Sequence, residues 1–347
     1  MQYRKLGRSD LTVSALSLGC WSMAGGGMWG EQDAEDSIAT IRTAQELGIN
    51  FFDTAEGYGN GYSEELLAQA LGHRRQEVII ATKVSQKNLR APDVVTACER
   101  SLKRLNTDYI DVYYIHWPSP EIPISETMEA FERLRTEGKI RVTACSNFAS
   151  GDLEKLLRHG RAEANQLPYS LLWRAIEYHV TPYCQEQGVS VTCYSPLSQG
   201  LLTGRYRNAD EVPPERARTR HFSSHRSFAE HGHPGVEELL FDTLDQMRKL
   251  CDQAQITMTQ AALGWAMAQP GVGSVIAGAR KPEQIRQSAS ACDIDFSRDF
   301  LNQLSELSQK LKEELGPSPD KWSVDSSRYD CMPDEDEAAP RRESTRV

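Results

Sequence analysis

Four residues of the chain pair a chemical capability with a telling place. Asp53 closes the apolar pair Phe51-Phe52, Tyr58 follows on the glycine-rich stretch "DTAEGYGNGYS", Lys83 comes after "VIIAT", and His116 ends "IDVYYIH". Taken singly, each has a plain structural reading: Asp53 as a turn former or helix cap, Tyr58 as a packed loop side chain, Lys83 as half of an ion pair, His116 as a core histidine beside Trp117 and Pro118. Taken together they make a proton donor. A phenol ionises near pH ~10 and is a weak donor at neutral pH, but a nearby ammonium favours the phenolate and lowers that value. Lys83 can supply the ammonium. The apolar Ile79, Ile80 and Ala81 before it imply burial, which would strip its proton unless a counter-charge such as Asp53 held it. His116 can hydrogen-bond the same reacting oxygen. Carbonyl reduction calls for such a set, because charge builds on the oxygen as hydride reaches the carbon and must be stabilised and then protonated. The expectation is a phenol more acidic than usual.

The elements that must bring these residues together are legible as an alternation. Eight short β-like runs begin near Ala15, Phe51, Val78, Ile110, Arg141, Ala164, Val189 and Gly273. Amphipathic stretches lie between them: "EDSIATIRTAQELG" puts Ile38, Ile41, Ala44 and Leu47 on one face, with Gly48 as a stop, and "DVVTACERSLKRL" does the same with Val94, Cys98, Leu102 and Leu105. Eight strands with intervening helices and no linker predict an α/β fold, a (β/α)8 TIM barrel, in which function gathers on the loops leaving the carboxyl ends of the strands. Asp53, Tyr58, Lys83 and His116 all fall there. "YRKLGRSDLTVSA" predicts an N-terminal β-hairpin plugging the barrel bottom. The wide gap between Val189 and Gly273 predicts a loop and helix insertion after the seventh strand. Part of it, "GRYRNADEVPPERARTRHFSSHRSFAEHGHPG", reads as a mobile loop over the substrate. Residues 1–318 form the expected barrel domain and 319–347 a C-terminal tail, with disorder expected over its last ~18 residues.

Composition narrows the partners. The chain has 347 residues with 39 lysines and arginines against 49 acids, a formal net charge of −10, which argues against a nucleic-acid or anionic-membrane surface. A small-molecule carbonyl is the expected partner. Eight cysteines without a CxxC pair predict neither a zinc cluster nor a disulfide framework and suit a reducing cytoplasm. No apolar run approaches the ~18 residues of a membrane span. "RKLGRSDLTVSALSLGC" imitates an export signal with a lipobox cysteine, but Ser17 holds the position where leucine is wanted, and export is not expected. His221, His225, His231 and His233 of the insertion lie among Arg and Ser without paired carboxylates, so no metal is expected. A barrel glycosidase would need two acids at separate strand ends, and only Asp53 is clearly so placed.

The motifs "DTAEGYGNGYSEELLAQAL", "ATKV", "DYIDVYYIHWP", "SNF", "NQLPYSLL", "YSPLSQGLLTGRY" and "IAGARKPEQI", in this order over roughly residues 1–315, resemble the aldo-keto reductases. The branch most similar is the bacterial-type one ending in GAR. The resemblance implies an NADP(H)-dependent reductase of an aldehyde or ketone, sugar-derived ones included, with Asp53, Tyr58, Lys83 and His116 as its tetrad and Tyr58 as proton donor. It also implies the cofactor contacts. Gly19, Trp21 and Asp53 are among the implied cofactor-binding residues; Ser146, Asn147 and Gln166 match those that bond the nicotinamide carboxamide, and Tyr194 the ring that stacks on the nicotinamide. Ser195, Pro196, Leu197, Gln199, Gly200 and Leu201 match the pyrophosphate stretch, with Arg205 near it. Gly278, Arg280, Gln284 and Ser288 match the adenosine end, where Arg280 meets the 2′-phosphate. Trp21, Tyr58, His116 and Trp117 are the implied substrate contacts. No GxGxxG follows a strand, so a dinucleotide fingerprint does not hold the cofactor. Two departures stand out: Ala144-Cys145 where the family often has Gly-Val, and Ser288 where it often has Asn. The potassium-channel β-subunits share this fold and tetrad, which makes a cofactor-binding regulatory subunit the alternative.

Overall fold

A computed structural model describes residues 1–26, 29–323 and 329–332. Its centre is the expected closed barrel of eight parallel strands: β3 (Leu16–Gly19), β4 (Phe51–Asp53), β5 (Ile79–Val84), β6 (Ile110–Ile115), β7 (Ile140–Ser146), β8 (Ala164–Pro168), β9 (Ser190–Tyr194) and β10 (Val272–Gly278), with β10 pairing back onto β3. Each run anticipated from the sequence is one of these strands. They read as continuous apolar stretches because both faces are covered, one by the barrel interior and one by the helices. "ALSLGC", the apolar part of the lipobox imitation, is built into β3, and Cys20 donates its backbone N–H to Asp53 O at 2.8 Å.

The helices between the strands follow local rules. α1 (Ala34–Glu46) starts on Asp33, whose carboxylate accepts from the backbone N–H groups of Glu35 and Asp36. α2 spans Tyr62–Leu71, and α3 (Ala91–Leu105) has a proline in its first turn and ends on a left-handed Asn106. α4 (Ile124–Thr136), α5 (Ser150–His159) and α6 (Val180–Gln187) continue the ring. A two-stranded hairpin, β1 (Tyr3–Lys5) with β2 (Thr12–Ser14), closes the bottom. Leu6, Leu11 and Val13 share one buried cluster with Phe51, Ile79, Val112, Tyr114, Val142 and Ala164, which lie on the five strands β4 to β8 of the barrel wall. The plug is bonded as well as packed, with Gly7 N–H on Ser190 Oγ at 2.8 Å and Ser14 N–H on Asn50 Oδ1 at 2.7 Å.

Between β9 and β10 lie two 3₁₀ turns, a long irregular segment, α7 (Glu237–Ala254) and α8 (Met258–Ala268). The irregular segment, expected as a loop moving over the substrate, is packed into the main core: Tyr206, Val212, Ala217, His221 and Phe222 are buried. His221 bonds Leu172 O at 2.7 Å through Nε2 and Thr219 Oγ1 at 2.9 Å through Nδ1, so it serves packing. After β10 come α9 (Pro282–Ala289), α10 (Arg298–Leu307) and α11 (Gln309–Leu315).

The expected division at 318 is crossed by contacts. Asp152 of α5 gives its backbone N–H to Asp330 Oδ1 at 3.0 Å and accepts Met332 N–H at 3.1 Å, and Lys155 Nζ donates to Met332 O at 2.6 Å. Of the last ~18 residues, expected to be disordered, Asp330 and Met332 are held by these bonds, and those from 333 on lie outside the described residues. Among the described residues no helix is long and apolar enough to cross a membrane. Because Leu6 is fully buried in the plug, Leu6→Ala is expected to destabilise the fold by about 2–5 kcal/mol. Urea unfolding measures this, and a loss well under 1 kcal/mol would show that the hairpin is dispensable.

Candidate active site

Asp53 is the last residue of β4 and Lys83 lies near the end of β5, so parallel pairing of neighbouring strands sets both side chains at one level. Lys83 Nζ donates to Asp53 Oδ1 and to Thr54 O, each at 2.7 Å, and to Tyr58 Oη at 3.3 Å. The ammonium is fully buried and Asp53 is 4% exposed. His116, immediately after β6, presents its ring edge to Tyr58 with centroids 5.8 Å apart. The four residues picked from the sequence therefore converge on one cluster, in which Tyr58 and His116 are partly exposed. Trp21, stacked on Tyr58 at 5.8 Å and 41% exposed, forms its rim.

The electrostatics correct one expectation. Burial raises the Tyr58 phenol above its ordinary value, and the opposing pull of Lys83 does not overcome it. The phenol at rest is therefore less acidic than usual, contrary to the reading from the sequence. Burial likewise works to lower the Lys83 ammonium, but the charge of Asp53, with Tyr58, outweighs it and leaves the amine above its ordinary value. Burial, with Lys83 adding to it, pushes His116 down to about 3. At neutral pH the site thus holds a neutral phenol, an ammonium and a neutral imidazole.

A second layer fixes the loop that carries Tyr58. Glu56 accepts Ser85 N–H and Asn88 Nδ2, both at 2.8 Å, pinning the loop to the end of β5. Glu64 of α2 is fully buried and takes Thr82 Oγ1–H and Arg104 Nε–H, both at 2.6 Å. Arg104 packs under Gly61, where φ is +97° and an added Cβ would stand 2.4 Å from the arginine. Sequence reasoning passed over Glu56 and Glu64; the signal was there in two acids flanking Tyr58 at positions with no reason to be apolar.

The residues implied for a nicotinamide form a connected network. Gln166 Nε2 donates to Asp53 Oδ2 at 2.7 Å, Ser146 Oγ to Gln166 O at 3.0 Å, and Asn147 Nδ2 to His116 O at 3.0 Å. Tyr194 Oη donates to Asn147 Oδ1 at 2.8 Å. Ala144 and Cys145, the first departure, are both buried in β7. Ser195, Ser198, Gln199 and Gly200 have φ of +54°, +44°, +56° and +100°, and the tight turn they make is closed by its own backbone, with Ser198 N–H on Ser195 O at 2.9 Å and Gly200 N–H on Leu197 O at 3.0 Å. Gln199 Oε1 is buried without a partner. Arg205 lies exposed beside Gly200 and is the cation that a pyrophosphate would meet there. At the adenosine end the side chains are turned otherwise. Gln284 Oε1 accepts the backbone N–H of Arg280 at 2.7 Å, the Arg280 side chain bonds the loop at 29–32, and Ser288 is buried within α9, 3% exposed, offering an adenine little contact.

The C-terminal segment adds a wall that the sequence did not suggest. Trp322 stacks on Tyr194 with centroids 6.1 Å apart, Trp117 lies edge-on to both Trp322 and Tyr329, and Tyr329 Oη reaches Asn147 Oδ1 at 3.5 Å. No group of three or more His, Cys, Asp or Glu among the described residues is placed to hold a metal ion.

Comparison with known proteins gives one consistent answer. The model of the aldo/keto reductase family matches residues 15–309. An NADH-specific methylglyoxal reductase of Escherichia coli is 33% identical over 330 residues, covering 88% of this chain and 98% of that protein. A putative voltage-gated potassium channel subunit beta of Schizosaccharomyces pombe is 33% identical over 338 residues, covering 91% and 94%. The crystal structure of an aldo-keto reductase from Klebsiella pneumoniae in complex with NADPH superposes with a TM-score of 0.70 at 31% identity, over 88% of this chain and 94% of that one.

The charge pattern makes a pH prediction. Asp53→Asn removes the counter-charge, so burial is left to push the Lys83 ammonium down, and activity that needs the ammonium is lost at lower pH. The alkaline limb of a kcat/KM profile is expected to fall by about one unit or more. An unmoved limb would show that Asp53 does not hold the charge.

Proposed function

The chain belongs to the aldo/keto reductase family, and on that footing we propose that it reduces an aldehyde or ketone to the alcohol with NADPH as hydride source and Tyr58 as proton donor. The observation that carries the reading is the unbroken line of hydrogen bonds from Gln166 through Asp53 and Lys83 to the Oη of the partly exposed Tyr58. A bound nicotinamide supplies the hydride. Every other part of the step falls to the chain.

The carbonyl oxygen lies against Tyr58 Oη and His116, whose neutral imidazole donates a hydrogen bond. As charge builds on that oxygen, the phenol hands over its proton and the bond to hydrogen moves from one oxygen to the other. The phenolate left behind faces the Lys83 ammonium, which Asp53 keeps charged. The ion pair thus stabilises the state after proton transfer more than the state before it, which is what accelerates a reaction. Solvent then restores the phenol.

Ser146, Asn147, Gln166 and Tyr194 are the residues proposed to hold the nicotinamide, Ser195–Leu201 the pyrophosphate, and Arg280 the 2′-phosphate. One relative is named for methylglyoxal, a small aldehyde, and the aromatic rim of Trp21 and Trp117 suits a compact, partly apolar substrate. Relatives named as channel subunits keep a second reading in view, in which cofactor binds without turnover.

Loss of NADPH absorbance with a panel of aldehydes, ketones and sugars separates the two. Tyr58→Phe is expected to lower kcat by about 10²-fold or more while leaving NADPH binding within a few-fold. Undiminished turnover would remove Tyr58 as donor. Tight NADPH binding with no carbonyl turned over would favour the regulatory role.

A further inference from the structure

Arg280 is already heavily bonded. Its Nε donates to Gln32 Oε1 at 2.5 Å, its Nη1 to Trp29 O at 2.7 Å and its Nη2 to Glu31 O. Gln32 grips from the other end as well, since its Nε2 donates to Arg280 O at 3.0 Å and to Ser37 Oγ at 3.1 Å. Ser37 is fully buried and bonds Asp33 O at 2.9 Å, so Gln32 stands on a fixed base at the start of α1. Gly26 and Gly30, both at positive φ and bridged by a 2.8 Å backbone bond, turn the chain so that the carbonyls of Trp29 and Glu31 face the guanidinium.

A guanidinium has five N–H donors, and a phosphate is gripped best by two parallel ones. Nε has a single hydrogen. With that hydrogen on Gln32, the fork that includes Nε is closed, and a 2′-phosphate must either use what remains on the Nη atoms or displace the glutamine. A guanidinium bond to an anionic phosphate oxygen is stronger than one to a neutral amide oxygen, so the phosphate wins the contact but gains only the difference. A cofactor without the phosphate makes no such demand.

We propose that Gln32 sets the balance between NADPH and NADH by competing with the 2′-phosphate for the Arg280 guanidinium. This rests on the reading above that Arg280 meets that phosphate. Gln32 is a specificity determinant: it weakens NADPH and leaves NADH alone.

Dissociation constants for NADPH and NADH, read from quenching of tryptophan fluorescence, test it on wild type, Gln32→Ala, Gln32→Glu and Arg280→Met, with circular dichroism to show that each is folded. Gln32→Ala is expected to tighten NADPH about tenfold, the worth of one hydrogen bond to a charged group, with NADH unchanged. Gln32→Glu puts a carboxylate on the guanidinium and in the way of the phosphate, and should weaken NADPH about tenfold or more, again with NADH unchanged. Gln32→Ala weakening NADPH would show that the glutamine prepares the arginine for phosphate, and would overturn the proposal. So would equal shifts for both cofactors, or an Arg280→Met variant that binds NADPH as wild type does. Folded wild type that binds neither cofactor would overturn the oxidoreductase reading and this inference together, whereas binding of both with an unaltered ratio in Gln32→Ala overturns this inference alone.

Discussion

The buried pair of Lys83 and Asp53 is the constraint around which the site is built. An ammonium with no exposed surface is tolerable only if a counter-charge and further acceptors surround it. Here Asp53 Oδ1 and Thr54 O lie at 2.7 Å and the phenol of Tyr58 at 3.3 Å. The other carboxylate oxygen of Asp53 takes Gln166 Nε2, so the pair is tied across the barrel to β8 as well as along its own neighbouring strands. Removing one member of such a pair leaves an uncompensated charge, typically at about 3–5 kcal/mol. The barrel accepts this arrangement because parallel register puts strand ends at one level, where charges can meet without crossing the apolar interior below.

What surrounds the pair holds Tyr58 within its reach. The loop from β4 to α2 is glycine-rich and would wander if left alone, yet Glu56 ties it to the end of β5 and Glu64 with Arg104 ties the following helix to β5 and α3. Aromatic rings make the remaining boundary: Trp21 on Tyr58 from one side, Trp117 and the C-terminal Trp322 and Tyr329 from the other. Rigid strand ends thus supply the charges, while loops supply the shape.

Much of this was legible in the sequence, for physical reasons that differ by element. Strands buried on both faces leave continuous apolar runs, and a charged residue at the end of such a run marks the active face of a barrel; Asp53, Lys83 and His116 were found this way. The acidity of Tyr58 was misjudged because the type of a neighbour can be read from sequence but the depth of burial cannot, and burial won. The composition of the loop after β9, dominated by His, Arg and Ser, predicts a mobile substrate loop, whereas Phe222 and the fully buried His221 anchor it. Gln32 with Arg280, and Trp322 with Tyr194, are contacts between residues more than a hundred positions apart, for which neither periodicity nor spacing gives a cue.

The central claim is that Lys83 is an ammonium throughout the working range because Asp53 keeps it so. Its side-chain protonation can be followed directly by NMR of protein labelled with ¹³C and ¹⁵N in lysine, the signal being assigned by its loss in Lys83→Met. The account predicts a charged amine that does not titrate below the ordinary lysine value of about 10.4. A Lys83 signal that shows the neutral amine at pH 7 would contradict it.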